Sequence, residues 1–223
     1  MTYTGDVTPG GTPDTRELSK LMITKLAVDP QMSNNCYVLR CRATDEQVLI
    51  DAADDAPALL RLLGDAGASK VITTHQHWDH HRALKAVAEA TGAIVVAGAA
   101  DAADITEQTG VAVDDRVADG DTIEFGDVRL EVIHLVGHTP GSIALLYDDP
   151  DGTPHLFTGD SLFPGGVGNT FGDGDAFESL IADVSTKIFD RLPDETWFYP
   201  GHGNDSTLGD ERPHLEEWRQ RGW

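Results

Sequence analysis

The stretch Val71–His81, "VITTHQHWDHH", sets four histidines and an aspartate in seven positions behind an apolar run. "KVITT" reads as a short buried strand, so the polar residues stand at a strand end. His75 and His77 are two apart on extended backbone, face one side and can bind the same ion. Asp79 and His80 come as the chain turns towards a helix, where they can address a second ion. Asp79 is equally well placed to cap that helix. Alone, the stretch fits a metal cradle or a histidine-rich polar loop. The choice depends on whether distant segments supply further ligands.

Three later apolar segments end in the same way. "VRLEVIHLVG" leads to His138 in "GHTPGS", "HLFTG" leads to Asp160, and "TWFYPG" leads to His202. A glycine precedes each donor (Gly137, Gly159 and Gly201), which lets the backbone turn sharply and approach a site closely. If the four strand ends share one edge, seven donors converge: His75, His77, Asp79, His80, His138, Asp160 and His202. Imidazole and carboxylate suit borderline divalent metals such as zinc. Seven donors exceed what one such ion takes and fit two, with a carboxylate between them.

The surrounding pattern predicts strands over 21–28, 36–42 and 47–53, a helix over 56–68, a helix over 80–92 ended by Gly92, a strand over 93–98 and a helix over 99–110. A second meander follows (122–126, 128–136, 142–149, 155–160), then a glycine-rich loop over 164–174 and an amphipathic helix over 176–192. A final strand precedes His202, and the tail 211–223 reads as a last short helix. Two β-rich halves that each end in helix imply an α/β fold, a four-layer αββα sandwich spanning 21–223 behind a flexible lead, 1–20.

Composition narrows the function. The 223 residues are 40% hydrophobic, enough for a sizeable core. The net charge of -22, from 38 acidic and 16 basic residues, repels nucleic-acid phosphate and anionic membrane. No apolar run approaches the roughly 20 residues of a membrane span. The N-terminus lacks a basic-then-apolar leader, so a cytoplasmic location is expected. Expected partners reduce to a small-molecule substrate and, at most, further copies of the chain. Cys36 and Cys41 are five apart in a strand, hence on opposite faces, so no mutual disulfide is expected.

The motifs "HQHWDH", "GHTPGS", "TGDSLF" and "PGHG" occur in the order found in the metallo-β-lactamase superfamily, which the chain resembles from its first strand to His202. The resemblance implies the αββα fold. It assigns His75, His77 and His138 to one metal, Asp79, His80 and His202 to a second, and Asp160 to the bridge. The family uses zinc, iron or manganese, and two zinc ions are the first expectation. Within it, "FTGDSLFPGGVGNTFGDGD" resembles the loop of the glyoxalase II group, hydrolases of acyl-thiol esters. Typical members carry an arginine after the loop glycines, whereas here Gly168 is followed by Asn169 and Thr170. They also carry a longer C-terminal region with basic residues that grip glutathione, whereas this chain ends about 20 residues after His202. A different thiol carrier or a broader ester substrate is therefore open.

The expected chemistry is attack by a metal-activated water on a thioester or ester, with Asp79 orienting the water or accepting its proton. Ser161 sits in no GxSxG elbow and is not needed as a nucleophile. A second reading, also from resemblance, is a persulfide dioxygenase with one iron on His75, His138 and Asp160. A third is hydrolysis of lactones or β-lactams. Other polar residues read as structural: His81 beside the cluster, His134 as a satisfied core histidine, His155 and His214 as exposed residues near turns. In the resembling family Asp51 could hydrogen-bond near the site, but it reads more plainly as a strand-end acid; Trp78 reads as an entrance or covering residue.

Overall fold

Alternation of apolar side chains builds two sheets that bury one face against each other and the other against helices. The computed structural model describes residues 2–222; Met1 of the expected lead and Trp223 of the expected tail helix lie outside them. The first half runs β1 (Asp14–Glu17), β2 (Leu21–Val28), β3 (Asn34–Cys41), β4 (Gln47–Ile50), α1 (Ala56–Leu63), β5 (Lys70–Thr73), α2 (Leu84–Thr91), β6 (Ile94–Gly98), α3 (Ala102–Thr109) and β7 (Asp115–Val117). Its sheet has the order β1-β2-β3-β4-β5-β6-β7, antiparallel as far as β4 and parallel beyond.

The second half runs β8 (Thr122–Phe125), β9 (Val128–His134), β10 (Ile143–Tyr147), β11 (His155–Gly159), a hairpin of β12 (Leu162–Phe163) and β13 (Gly166–Val167), α4 (Gly174–Asp183), β14 (Trp197–Pro200), β15 (Ser206–Thr207), α5 (Leu208–Glu211) and α6 (Leu215–Arg221). Its main sheet has the order β15-β14-β11-β10-β9-β8, with β11 and β14 parallel.

Burial follows this layering. Ile23, Leu39, Ile50 and Ile72 of the first sheet meet Leu130, Val132, Leu145, Phe157 and Tyr199 of the second. On the outer face of the first sheet, Val38, Leu49 and Val71 pack on Leu59, Leu63, Leu84 and Ile105 of the helices. On the outer face of the second, Ile133, Leu146 and Phe198 pack on Phe177, Leu180, Ile181 and Trp218. The four layers are therefore α, β, β, α, as the order of elements predicts. Cys36 faces the helices and Cys41 faces the sandwich interior, and both thiols are free.

Several boundaries differ from the sequence reading. Part of the lead expected to be flexible is an edge strand, because Asp14–Glu17 pairs with Met22–Lys25. Residues 78–80 form a single 3-10 turn and α2 starts only at Leu84. Asp79 therefore does not cap that helix, which has no side-chain cap. β4 stops at Ile50 because Asp51 takes a left-handed backbone conformation, φ 56°. The helix over 176–192 is α4 continued by a π-helical stretch, Val184–Phe189. The loop 164–174 contains β13, and β7 and β15 were not anticipated.

His155, read as exposed, is 2% exposed in β11, with Nδ1 2.9 Å from the Tyr199 hydroxyl. Burial, aided by the Arg16 cation, lowers its pKa to about 4. A histidine held neutral in the fold binds its proton more readily when unfolded. Its contribution to stability is intact above about pH 6.5 and is lost progressively as pH falls to about 4, by about 3 kcal/mol in all. In chemical denaturation between pH 7 and 4, His155→Gln is expected to show a shallower loss of stability than the parent, and identical slopes would contradict this account.

Candidate metal centre

The loops that leave four strands put all seven candidate donors at one edge of the sandwich. β5 runs into His75 and His77, and the 3-10 turn after it carries Asp79 and His80. The loops following β9, β11 and β14 bring His138, Asp160 and His202. Gly159 adopts φ 48°, which turns the chain between β11 and Asp160. At Gly201 a Cβ would collide with the Asp160 carboxylate and the His80 ring, so only glycine allows His202 this close.

Two triads result. His75 Nε2, His77 Nδ1 and His138 Nε2 are separated by 3.1, 2.9 and 3.3 Å. His80 Nε2, His202 Nε2 and Asp79 Oδ2 are separated by 3.2, 3.4 and 3.5 Å. A tetrahedral ion with bonds of about 2.0–2.1 Å spaces its ligands about 3.3–3.4 Å apart, so both triads match that edge length. Asp160 lies between them. Its Oδ1 is 3.4 Å from His80 Nε2, and its Oδ2 is 3.4 Å from His202 Nε2 and 3.7 Å from His138 Nε2.

The tautomers show what the site lacks on its own. His80 donates through Nδ1 to Asp51 Oδ2 at 2.9 Å, His138 to the Asn169 carbonyl at 2.8 Å, and His202 to the Met32 carbonyl at 2.9 Å. His75 Nδ1 donates to Thr74 Oγ1 at 3.1 Å, and that hydroxyl donates onward to Asp51 Oδ2 at 2.8 Å. Four rings thus turn Nε2 inwards, 3.2 Å apart in the His80–His202 pair and 3.3 Å apart in the His75–His138 pair. Asp160 Oδ1 is buried without a hydrogen-bond partner. Crowded Nε2 atoms and an orphaned carboxylate oxygen are unfavourable unless protons or a Lewis acid sit among them. The donor set therefore fits divalent metal ions.

Electrostatics divide the cluster. His75 is held well below its ordinary range, by burial first and then by neighbouring His80; burial likewise lowers His77 and His138. Burial alone would lower His80 and His202, but carboxylates outweigh it. Asp160 and Asp51 raise His80 well above its usual value, and Asp160 and Asp79 raise His202 to about 9. Burial would raise Asp79 and Asp160, yet the adjacent histidines hold both below the usual carboxylate range.

Residues outside the motifs hold these donors in place. Asp51 does what the family resemblance allows, not what the plainer strand-end reading expects: it orients His80 directly and His75 through Thr74. Asn34 Nδ2 donates to Asp79 Oδ2 at 3.0 Å. Asp101 accepts from the Gln76 amide and the Thr139 hydroxyl, which ties the His75–His77 loop to the His138 loop. The His202 loop is anchored by Asn35 and Tyr37, which donate to the Pro200 carbonyl, and by buried Lys25, which donates to Gly203 O and Asp205 Oδ1. The left-handed φ of Asp51 carries its carboxylate beneath the site, but no local pattern in the sequence marks these partners.

The remaining polar residues stay outside the cluster. His81 is buried with Nε2 3.1 Å from the Gln76 carbonyl. His134 is half-buried against the Pro140 carbonyl, and His214 is exposed. Ser161 is fully buried and cannot meet a substrate. Trp78 is exposed, with the Arg82 guanidinium 4.7 Å above its ring.

The loop beyond Asp160 adds one strained residue. Phe171 has φ 56°, a conformation costing on the order of 1–3 kcal/mol for a bulky side chain, and the residue is 71% exposed. The ring stands 5.6 Å from His77 and 6.1 Å from His138, centre to centre.

Comparison with known proteins agrees with this geometry. Residues 29–202 match the family model described as the metallo-beta-lactamase superfamily. The chain is 37% identical over 169 residues to a hydroxyacylglutathione hydrolase of Polaromonas, a match covering 74% of this chain and 60% of that enzyme. The B3 metallo-beta-lactamase BLEG-1 superposes with a TM-score of 0.73 at 27% identity, over 88% of this chain and 99% of that one. ETHE1 from Myxococcus xanthus gives 0.73 at 29% identity, over 89% and 84%. With the matched segment running from the β2–β3 turn to the last of the seven donors, the chain belongs to the metallo-beta-lactamase superfamily.

Proposed function

We propose that this protein is a dinuclear metal-dependent hydrolase that cleaves thioesters or related esters. The observation that carries the reading is the pairing of two complete donor triads by the single carboxylate of Asp160. His75, His77 and His138 would hold one ion, Asp79, His80 and His202 the other, and zinc suits the nitrogen-rich set. Similarity to a hydroxyacylglutathione hydrolase supports the thioester class.

When bound, two such ions supply Lewis-acid charge that brings the pKa of a water towards about 7 and stabilises negative charge on a carbonyl oxygen. The chain supplies the rest. Asp79, held by Asn34 at 3.0 Å, is placed to orient the attacking water and accept its proton. Asp51 and the Asn169 and Met32 carbonyls keep the Nε2 lone pairs of His80, His138 and His202 directed inwards. In the net reaction water oxygen bonds to the acyl carbon, the carbon–sulfur bond breaks, and the proton leaves with the thiol. A mononuclear iron site on His75, His138 and Asp160 would leave the second triad, with its 3.2–3.5 Å edges, without a purpose.

Three outcomes test the reading. Metal analysis should find two ions per chain, with thioester hydrolysis lost in His202→Ala; one iron per chain with oxygen uptake would favour the mononuclear reaction. Stripping the metal should lower Tm by roughly 10 °C, since a ligand held about a thousandfold above its Kd stabilises by about 4 kcal/mol. Asp51→Asn should weaken metal affinity roughly 10–100-fold in chelator competition while the far-ultraviolet spectrum stays unchanged; unaltered affinity would remove Asp51 from the site.

A further inference from the structure

Among the described residues, four large apolar side chains are exposed: Met32, Trp78, Ile94 and Phe171. One of them has its side chain against the metal centre. The Phe171 ring stands beside His77 and His138. On the other side the half-buried Phe163 ring is 6.4 Å from His202. Aromatic side chains therefore flank both donor triads.

Resting on the hydrolase reading, we propose that these side chains form an apolar collar that binds an uncharged hydrophobic group next to the scissile bond, with Phe171 as the specificity-determining residue. Phe171 is unfavourable twice over, through its left-handed backbone and its 71% exposure. Its loop is not loose. The Phe171 amide donates to Asn169 Oδ1 at 2.7 Å, and the Asn169 carbonyl holds His138. The same anchor that orients a donor thus projects the ring into solvent beside the metals. A substrate that covers the ring removes its exposure, and strain of this kind marks functional positions.

Charge points the same way. A chain of net charge -22 repels carboxylate-bearing thiols. The cation stacked on Trp78, Arg82, is already engaged by Asp29 and Asp54.

The test uses the metal-loaded full chain and two substrate series. One lengthens the acyl group from acetyl to octanoyl on N-acetylcysteamine; the other lengthens a neutral alkyl thiol on a fixed acetyl group. In at least one series kcat/KM should rise roughly twofold to fourfold per methylene, and Phe171→Gly should flatten that rise. Glycine suits the left-handed backbone, so the Tm of this variant should hold or increase. Flat responses in both series, preference for a glutathione thioester over its neutral equivalents, or an unchanged slope in Phe171→Gly would overturn the collar. If no thioester is cleaved, the hydrolase reading fails separately. Calorimetry then decides the collar: tighter binding of an octyl thioether than of a carboxymethyl thioether supports it, and equal binding overturns it.

Discussion

Crowding five imidazoles and two carboxylates at one rim demands positive charge among them, from protons on His80 and His202 or from metal ions. That demand is the constraint on which the rest of the architecture depends. Four Nε2 atoms face inwards because each ring's Nδ1 donates to an oxygen behind it. The oxygens come from Asp51, Asn169, Met32 and Thr74, residues on four different segments. Relaxing any ring would break a buried hydrogen bond, so the fold holds the donors in a geometry that only a cation makes favourable. Affinity for metal and the stability of the rim are in this sense one quantity.

The sandwich supplies the rigidity this requires. Donors come from both sheets, and the interface between them is filled by interdigitating aliphatic and aromatic side chains. Each triad takes donors from both sheets, so its closure depends on sheet-to-sheet packing as well as on the loops that carry the donors. Asp160 spans the two because β11, which carries it, pairs in parallel with β14, which leads to His202. Parallel pairing places both strand ends on the same side, and Gly201 leaves out the side chain that would collide with Asp160.

The convergence of the seven residues was legible in the sequence because they carry a local signature: His75, His77, Asp79 and His80 are nearly contiguous, and the other three follow a glycine at a strand end. The layer order was legible because buried strands and amphipathic helices have distinct periods. What escaped has no local period. β7 and β15 are short polar edges, "DRV" and "ST", whose pairing depends on a neighbour. Asp51, Asn34 and Asp101 act across tens of residues, and nothing near them in sequence announces their partners. His155 looked like a turn residue beside "DGTP", yet its strand lies between β10 and β14 in the sheet interior. The start of α2 differs because helical periodicity extends back through His80, while residues 78–80 form a separate 3-10 turn.

The two kinds of residue at the rim answer to opposite demands. Donors and their supports are buried, hydrogen-bonded and held from behind, as a site that must hold a fixed charge distribution requires. Phe171 and Met32 are exposed, and Phe171 sits on a backbone that a bulky residue avoids. Such positions persist only where the surrounding structure over-determines them. Here the Asn169 side chain holds the Phe171 amide while the Asn169 carbonyl holds His138. Orientation of a metal donor and presentation of an apolar surface are thus coupled through one residue. A change at position 169, where the resembling group carries an arginine, would alter both.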